Sequence, residues 1–277
     1  MIDVGLFIRV ILLFLPVLYG VTLFDYILIF TTNDARARRL ARPLLLSALI
    51  ANVVYFLAFT FYFEHLPFVN VFQVLGAIGF SIAAIYLWVE SRARSPHTGP
   101  FILALVLVFQ VLNTVFPKLD REVPQILRST VFNLHVSAAI LGYSSFAVAA
   151  VYGLLYLLQY RVIRTKRFGL VFQRLPSLDI LDRMNLVAAS TGFVFLSIAI
   201  VAGVWWSHVV FGGVQVDPKV LVAVLTWVIY GLSIFGRQFV SWRGPRMAYS
   251  SLFGFLVILF SLFAVNFFMT KFHVFVS

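Results

Sequence analysis

Histidine and tryptophan are the side chains here whose types and placement could do chemistry. His65, His135, His208 and His273 fall near the ends of long apolar stretches, while His97 sits in the polar run Arg94-Ser95-Pro96-His97. A neutral imidazole offers one ring nitrogen as a donor and the other as a lone pair for a metal or a proton. Trp205 and Trp206 lie just before His208, and an apolar stretch from Val209 to Val216 leads on to Asp217-Pro218-Lys219. So apolar a connection is costly in water, so it is expected to fold onto a cavity or an apolar ligand. Gly212-Gly213 would let the backbone reverse tightly or approach a flat partner closely.

Imidazoles, aromatic faces, an apolar slot and a few cations together suit an iron porphyrin. Haem iron accepts axial His nitrogens, its flat macrocycle packs on Trp and Phe, and its anionic propionates pair with Lys or Arg. Arg128, Lys219 and Lys271 are the candidate cations. Zinc is the competing metal, but it usually wants three or four close ligands, and the chain has no HxxH or HExxH spacing. Plainer roles exist for each residue. A lone His at a helix end is commonly a polar cap, and Trp205 and Trp206 would serve as interfacial anchors. Asp217-Pro218 reads as an N-cap followed by Pro at the first helical position, and Lys219 could simply snorkel. With no Cys, disulfides, thiolate metal sites and cysteine nucleophiles are excluded. No phosphate-binding glycine loop is present, and no sequence context links Ser and His into a triad.

The elements that must position these groups are membrane helices. Of 277 residues, 62% are hydrophobic and 11% charged, against about 45–50% and about 25% in an ordinary soluble domain; mean hydropathy is +1.02. Neither a water-soluble globule nor a disordered chain fits that composition. Eight stretches are long enough to span a bilayer, at about 5–30, 44–63, 68–90, 100–117, 131–159, 185–210, 219–236 and 248–269. None alternates as a β-barrel strand would. The first lacks a basic region before it, so it is expected to be a retained helix and not a cleaved signal. The fold class is therefore all-α: a polytopic membrane protein of about eight helices, forming a single domain over 1–277 with a short apolar outer loop at about 205–218.

Fifteen Lys and Arg fall after spans one, three, five and seven, and six on the other side. The positive-inside rule puts the richer side in the cytoplasm and both termini outside. That split also explains most of the net charge of +11 without a nucleic-acid partner, which would need one contiguous basic patch. In the longest inner connection, at about 160–184, Pro176-Ser177-Leu178-Asp179 reads as a helix start with Ser177 as its cap. Four of the five histidines then lie on the outer side. Asn52, Gln73, Asn113 and Ser137 are among the few polar residues within the spans that could line a conduit.

Four stretches carry a resemblance. They are Leu134-His135-Val136-Ser137-Ala138-Ala139-Ile140-Leu141-Gly142-Tyr143; Leu181-Asp182-Arg183 through Gly192-Phe193 to Gly203-Val204-Trp205; Asp217-Pro218-Lys219 with Leu225-Thr226-Trp227-Val228-Ile229-Tyr230; and Val265-Asn266-Phe267-Phe268 closing on His273. Pro67-Phe68-Val69-Asn70 is a weaker match. From about residue 65 onward the chain resembles the cytochrome c assembly protein family of membrane haem handlers, and most closely its short HemX-like branch. The family's loop usually reads Trp-Asp-Pro-Lys-Glu. Here Val216 precedes Asp217 and Val220 follows Lys219, so the tryptophan platform is reduced to Trp205 and Trp206.

The resemblance implies that His135 and His273 are paired axial ligands of a haem b-type iron protoporphyrin. Trp205, Trp206, His208, His65, Asp217, Lys219 and Arg128 would surround it or line the way to it. It implies a non-enzymatic assembly factor of a bacterial-type cytoplasmic membrane that holds haem at the outer face and hands it on in c-type cytochrome biogenesis. The partner would be a membrane subunit with an outer domain, or an apocytochrome c. Two alternatives stand beside this: a HemX-like haem-sensing regulator that acts on a cytoplasmic enzyme of tetrapyrrole synthesis, and a haem transporter or conduit.

Overall fold

The computed structural model describes residues 4–68, 70–116, 129–166, 169–214 and 218–260. Among them every regular element is helical. Helices long and apolar enough to cross a bilayer are Val4–Thr32, Ala35–Phe63, Val71–Ala93, Pro96–Val115, Thr130–Thr165, Leu178–Phe211 and Val220–Val240, with Pro245–Phe260 shorter but also apolar. The second half of the eighth expected span lies outside the described residues. Large apolar side chains face outward along these helices, Phe61 being 84% exposed. Such a surface suits hydrocarbon and not water.

The chain divides into two compact units, Met1–Arg128 and Ser129–Ser277. In the first, α1 (Val4–Thr32), α2 (Ala35–Phe63), α3 (Val71–Ala93) and α4 (Gly99–Val115) pack together, with a 3-10 turn at Pro96–Thr98 before α4. α2 begins nine residues before the apolar stretch that announces it, because Asp34 caps it by accepting from the backbone N–H groups of Arg36 and Ala37. Arg36, Arg38, Arg39 and Arg42 therefore ride on helix. α3 starts at Val71, three residues later than expected, where Asn70 accepts from the Gln73 N–H. Tyr19, Tyr26, Tyr55, Tyr86 and Phe59 fill the core.

Amides tie these helices to one another. The Gln110 Nε2 donates to Asn52 Oδ1 and to the Gly76 carbonyl, both at 3.1 Å, and the Thr114 hydroxyl donates to the Leu12 carbonyl at 3.0 Å. In hydrocarbon the alternative is an unpaired polar group, so such bonds act as interhelical glue. Asn52, one of the residues proposed from sequence for a conduit, is thus engaged in holding α2 to α4.

The second unit contains α5 (Thr130–Thr165), α6 (Leu170–Arg174), α7 (Leu178–Phe211), α8 (Pro218–Val240) and α9 (Pro245–Phe260). α7 starts where Pro176-Ser177 indicated, although the Ser177 side chain makes no capping bond. α5 and α7 form the most extensive pairing, lying antiparallel. They approach so closely that a Cβ at Gly192 would fall 2.6 Å from the Phe146 ring and 3.0 Å from the Gly142 carbonyl oxygen. A small residue is required there for the backbones to meet.

α8 and α9 pack on this pair. The Tyr230 ring stacks on Phe146 at 3.7 Å, and its hydroxyl donates to the Ser251 carbonyl at 2.9 Å. Away from His135, near the start of α7, Arg237 donates to Asp182 Oδ2 at 2.5 Å, and the Gly244 N–H donates to Asp182 Oδ1 at 3.1 Å. One carboxylate thereby joins α7, α8 and the α8–α9 turn.

Candidate functional site

His135 stands in the second turn of α5, a helix whose first turn is fixed by Ser129 accepting from the Phe132 N–H. Its half-buried ring lies against α7. The Nδ1 is 2.8 Å from the Ala199 carbonyl oxygen. A carbonyl can only accept, so Nδ1 carries the proton and the neutral ring has its lone pair on Nε2. That tautomer, oriented by a backbone carbonyl, is the arrangement typical of metal-ligating histidines.

Gly203 makes room for this ring. A Cβ there would lie 2.7 Å from Nδ1 and 2.8 Å from Cε1, well inside van der Waals contact. Ala199, Gly203 and Trp206 follow one another at helical spacing and share the face of α7 that meets α5. Trp206 packs on Phe132 of α5 at 5.3 Å and on Phe211 at 5.8 Å. On a different, outward face of α7 lies an open, apolar recess of about 360 Å³ lined by Leu134, Ser197, Ile198, Val201, Ala202 and Trp205. Its size falls within the usual range for small-molecule sites. On the far side of Ser197, the Trp227 indole donates to its hydroxyl at 2.8 Å and stacks on Phe193 at 5.1 Å, which fixes α8 to α7.

The structure brings together His135 and Trp206; Trp205, 58% exposed, lines the recess on another face of α7, about 160° around the helix from Gly203 at about 100° per residue. His208 does not join them. It is exposed and lies about 140° around the helix from Gly203, at about 100° per residue. Its carbonyl accepts the Gly212 N–H that closes α7 in a left-handed cap. His65 belongs to the first unit, where it is buried against Phe59 and Phe63 with Nδ1 2.9 Å from the Leu66 carbonyl oxygen. His97 lies 3.4 Å from Asn33 Oδ1. Pro218 opens α8, as the Asp217-Pro218 pattern indicated. His273, Asp217, Arg128 and the Lys219 side chain fall outside the described residues. Among the described residues no three His, Asp or Glu side chains converge as a metal site, whereas haem asks the protein for only one or two ligands. Ala199 and Phe132 went unnoticed in the sequence, because a carbonyl partner 64 residues away has no signature until α5 and α7 are known to pair.

A family model described as cytochrome c assembly protein matches residues 17–273. The chain belongs to the cytochrome c assembly protein family. Among similar proteins, the cytochrome c biogenesis protein CcsA of Heterosigma akashiwo is 28% identical over 261 residues, covering 80% of this chain and 81% of the relative. Protein HemX of Brevibacillus brevis is 26% identical, covering 87% and 90%. Protein HemX of Bacillus subtilis is 24% identical, covering 93% and 94%. The matched segment of this family member contains α5, α7 and the whole His135 site.

Proposed function

We propose that this chain is a membrane haem-binding protein that holds haem b through His135 and His273 and passes it on during assembly of c-type cytochromes. The observation that carries this reading is the 2.8 Å bond from His135 Nδ1 to the Ala199 carbonyl, which leaves the ligating lone pair on Nε2. Family membership over nearly the whole chain supports it, as do the named relatives in cytochrome c biogenesis. Two features support a fit to the group: an oriented imidazole, and the Phe132–Trp206 ring pair one helical turn from it.

When bound, haem would supply an iron centre that takes two axial nitrogens. The chain's own contribution is to bind, orient and shield. His135 ligates and Ala199 fixes its tautomer. Trp206 would border the macrocycle, and Trp205, Arg128, Lys219 and Asp217 are the further residues proposed around it. His208, on another face of α7, would mark the approach. The role proposed is that of an assembly factor, in keeping with the family. Its setting is a bacterial-type cytoplasmic membrane with both termini and the His135 end outside. The partner would be an apocytochrome c or a membrane subunit with an outer domain.

The test is the visible spectrum of protein purified with haem in gentle detergent. A Soret band is expected in the wild type and should be lost or strongly shifted in the His135→Ala, His273→Ala double variant. A band unchanged by both substitutions overturns the ligand assignment.

The near full-length matches to Protein HemX favour a second reading, a haem-sensing regulator that contacts a cytoplasmic enzyme of tetrapyrrole synthesis through the basic 160–184 connection. Normal c-type cytochromes in a deletion strain, with altered tetrapyrrole precursors, would select that reading over delivery.

A further inference from the structure

The end of α5 away from His135 carries exposed apolar side chains where the span is already over. α5 has 36 residues, which at about 1.5 Å per residue come to about 54 Å. A bilayer with its headgroups is about 40–45 Å thick. From Thr130 to Tyr160 the helix holds no Lys, Arg, Asp or Glu, and Arg161 is the first. The headgroup layer at this end therefore begins near Arg161. Tyr160, Arg161, Ile163 and Arg164 are all exposed there. At about 100° per residue they fall within an arc of about 160°, one side of the helix. Lys166, also exposed, ends α5 in a left-handed cap.

The chain does not run on into water from this point. Gln159, buried six residues before α5 ends, donates from Nε2 to the Phe172 carbonyl of α6 at 3.4 Å. Leu175, which follows α6, is buried as well. α6 is thus held back against α5 at the level of Gln159, two residues short of the first arginine. Yet its Leu170 and Val171 are 46% and 36% exposed. Turned to water, such side chains are unfavourable. Set into the boundary between headgroups and acyl chains, they are buried, and the neighbouring cations meet the lipid's charge. A cytoplasmic protein could meet the same cations, but the depth at which α6 is held favours lipid.

We propose that α6 and the last two turns of α5 form a surface site for acidic phospholipid, in the leaflet at the end of α5 away from His135. Leu170 and Val171 enter the acyl boundary, and Arg161, Arg164 and Lys166 pair with headgroup phosphates. A zwitterionic lipid offers the same acyl chains without the net negative charge, so the site discriminates by headgroup. The inference is independent of haem.

The chain has no Cys, so a fluorophore on Leu170→Cys in the otherwise intact full-length protein reports on this site alone. The protein is reconstituted in phosphatidylcholine vesicles, and quenching by nitroxide-labelled phosphatidylglycerol is compared with quenching by nitroxide-labelled phosphatidylcholine. The acidic lipid should reach half-quenching at about one fifth the concentration, the effect of about one cation near an acidic headgroup. In the Arg161→Gln, Arg164→Gln, Lys166→Gln background the two lipids should converge to within about twofold. High salt, at about 1 M, should do the same with the three cations unchanged, which guards against a folding defect in the triple variant. Equal quenching by both lipids with the cations in place overturns the inference, as does a preference that survives both the triple substitution and salt. Quenching by aqueous iodide but by neither lipid places Leu170 in water and overturns it too. Protection from lipid and iodide alike means that protein covers α6, and the lipid assignment falls.

Discussion

Gly203→Ala is the smallest change that should disable the His135 site while leaving the helices standing. The added methyl would meet Nδ1 at 2.7 Å and Cε1 at 2.8 Å. Ordinary contact needs about 3.5 Å, so the ring must retreat by about 0.7 Å. A retreat of that size, directed away from α7, stretches the 2.8 Å bond to Ala199 to about 3.5 Å, beyond useful hydrogen-bond length. The imidazole then loses both its tautomer and its aim. Disturbing such an orienting partner typically lowers metal affinity about 10- to 100-fold. Fold stability should change little. Alanine in place of helical glycine gains about 1 kcal/mol, which offsets part of an overpacking cost of about 1–3 kcal/mol and leaves a net loss of at most about 2 kcal/mol. The assay is haem titration of detergent-purified protein by Soret absorbance, paired with a thermal melt followed by circular dichroism. Weaker haem binding by at least tenfold, with a midpoint within a few degrees of wild type, is the expected pair of results. Wild-type affinity in Gly203→Ala would refute the claim that the Ala199–His135 bond prepares the ligand.

Two further outcomes concern the scaffold. Asp182→Ala leaves the Arg237 guanidinium and the Gly244 N–H without their acceptor and should destabilise the second unit by about 3 kcal/mol. A detergent melt should show less damage in the Asp182→Ala, Arg237→Met pair than the two single changes would sum to. At Asp34, the backbone N–H groups of Ala37 and Arg36 hold the carboxyl below the ordinary carboxylate range. A lowered folded value means the cap contributes above the unfolded pKa of about 4 and is lost as pH falls through the lowered folded value. Amide exchange at Arg36 and Ala37 should accelerate in acid beyond its intrinsic pH dependence, and Asp34→Asn, which caps without titrating, should remove that extra acceleration.

The helices were legible because a bilayer demands about 20 apolar residues in a row, and little else in a sequence mimics that. Their polar ends were less so. Four arginines hid the first two turns of α2, since hydropathy registers lipid contact and not helix, and the Asp34 cap was the signal that could have revealed them. Asn52 was recognised as a polar residue in an apolar span, yet Gln110, which bonds it, was not, because partnership between helices leaves no mark within either one.

The candidate site divides along the same line. Residue type named His135, and the resemblance gave it a role, but the sequence could not say that His135 meets Ala199 and Gly203 while His208, nine residues beyond Ala199, turns away. Helical periodicity fixes the angle between two residues of α7, not which angle faces α5. That choice is made where Gly192 lets α5 and α7 close up, well down the helices from the imidazole. The close approach that aligns the pair also sets the register that puts a backbone carbonyl opposite a histidine. The consequence is that substitutions at Gly192, remote from any ligand, should disturb the His135 site through its position as well as weaken the α5–α7 pair. A bulky residue there would slide Ala199 out of reach, and the ring's tautomer with it.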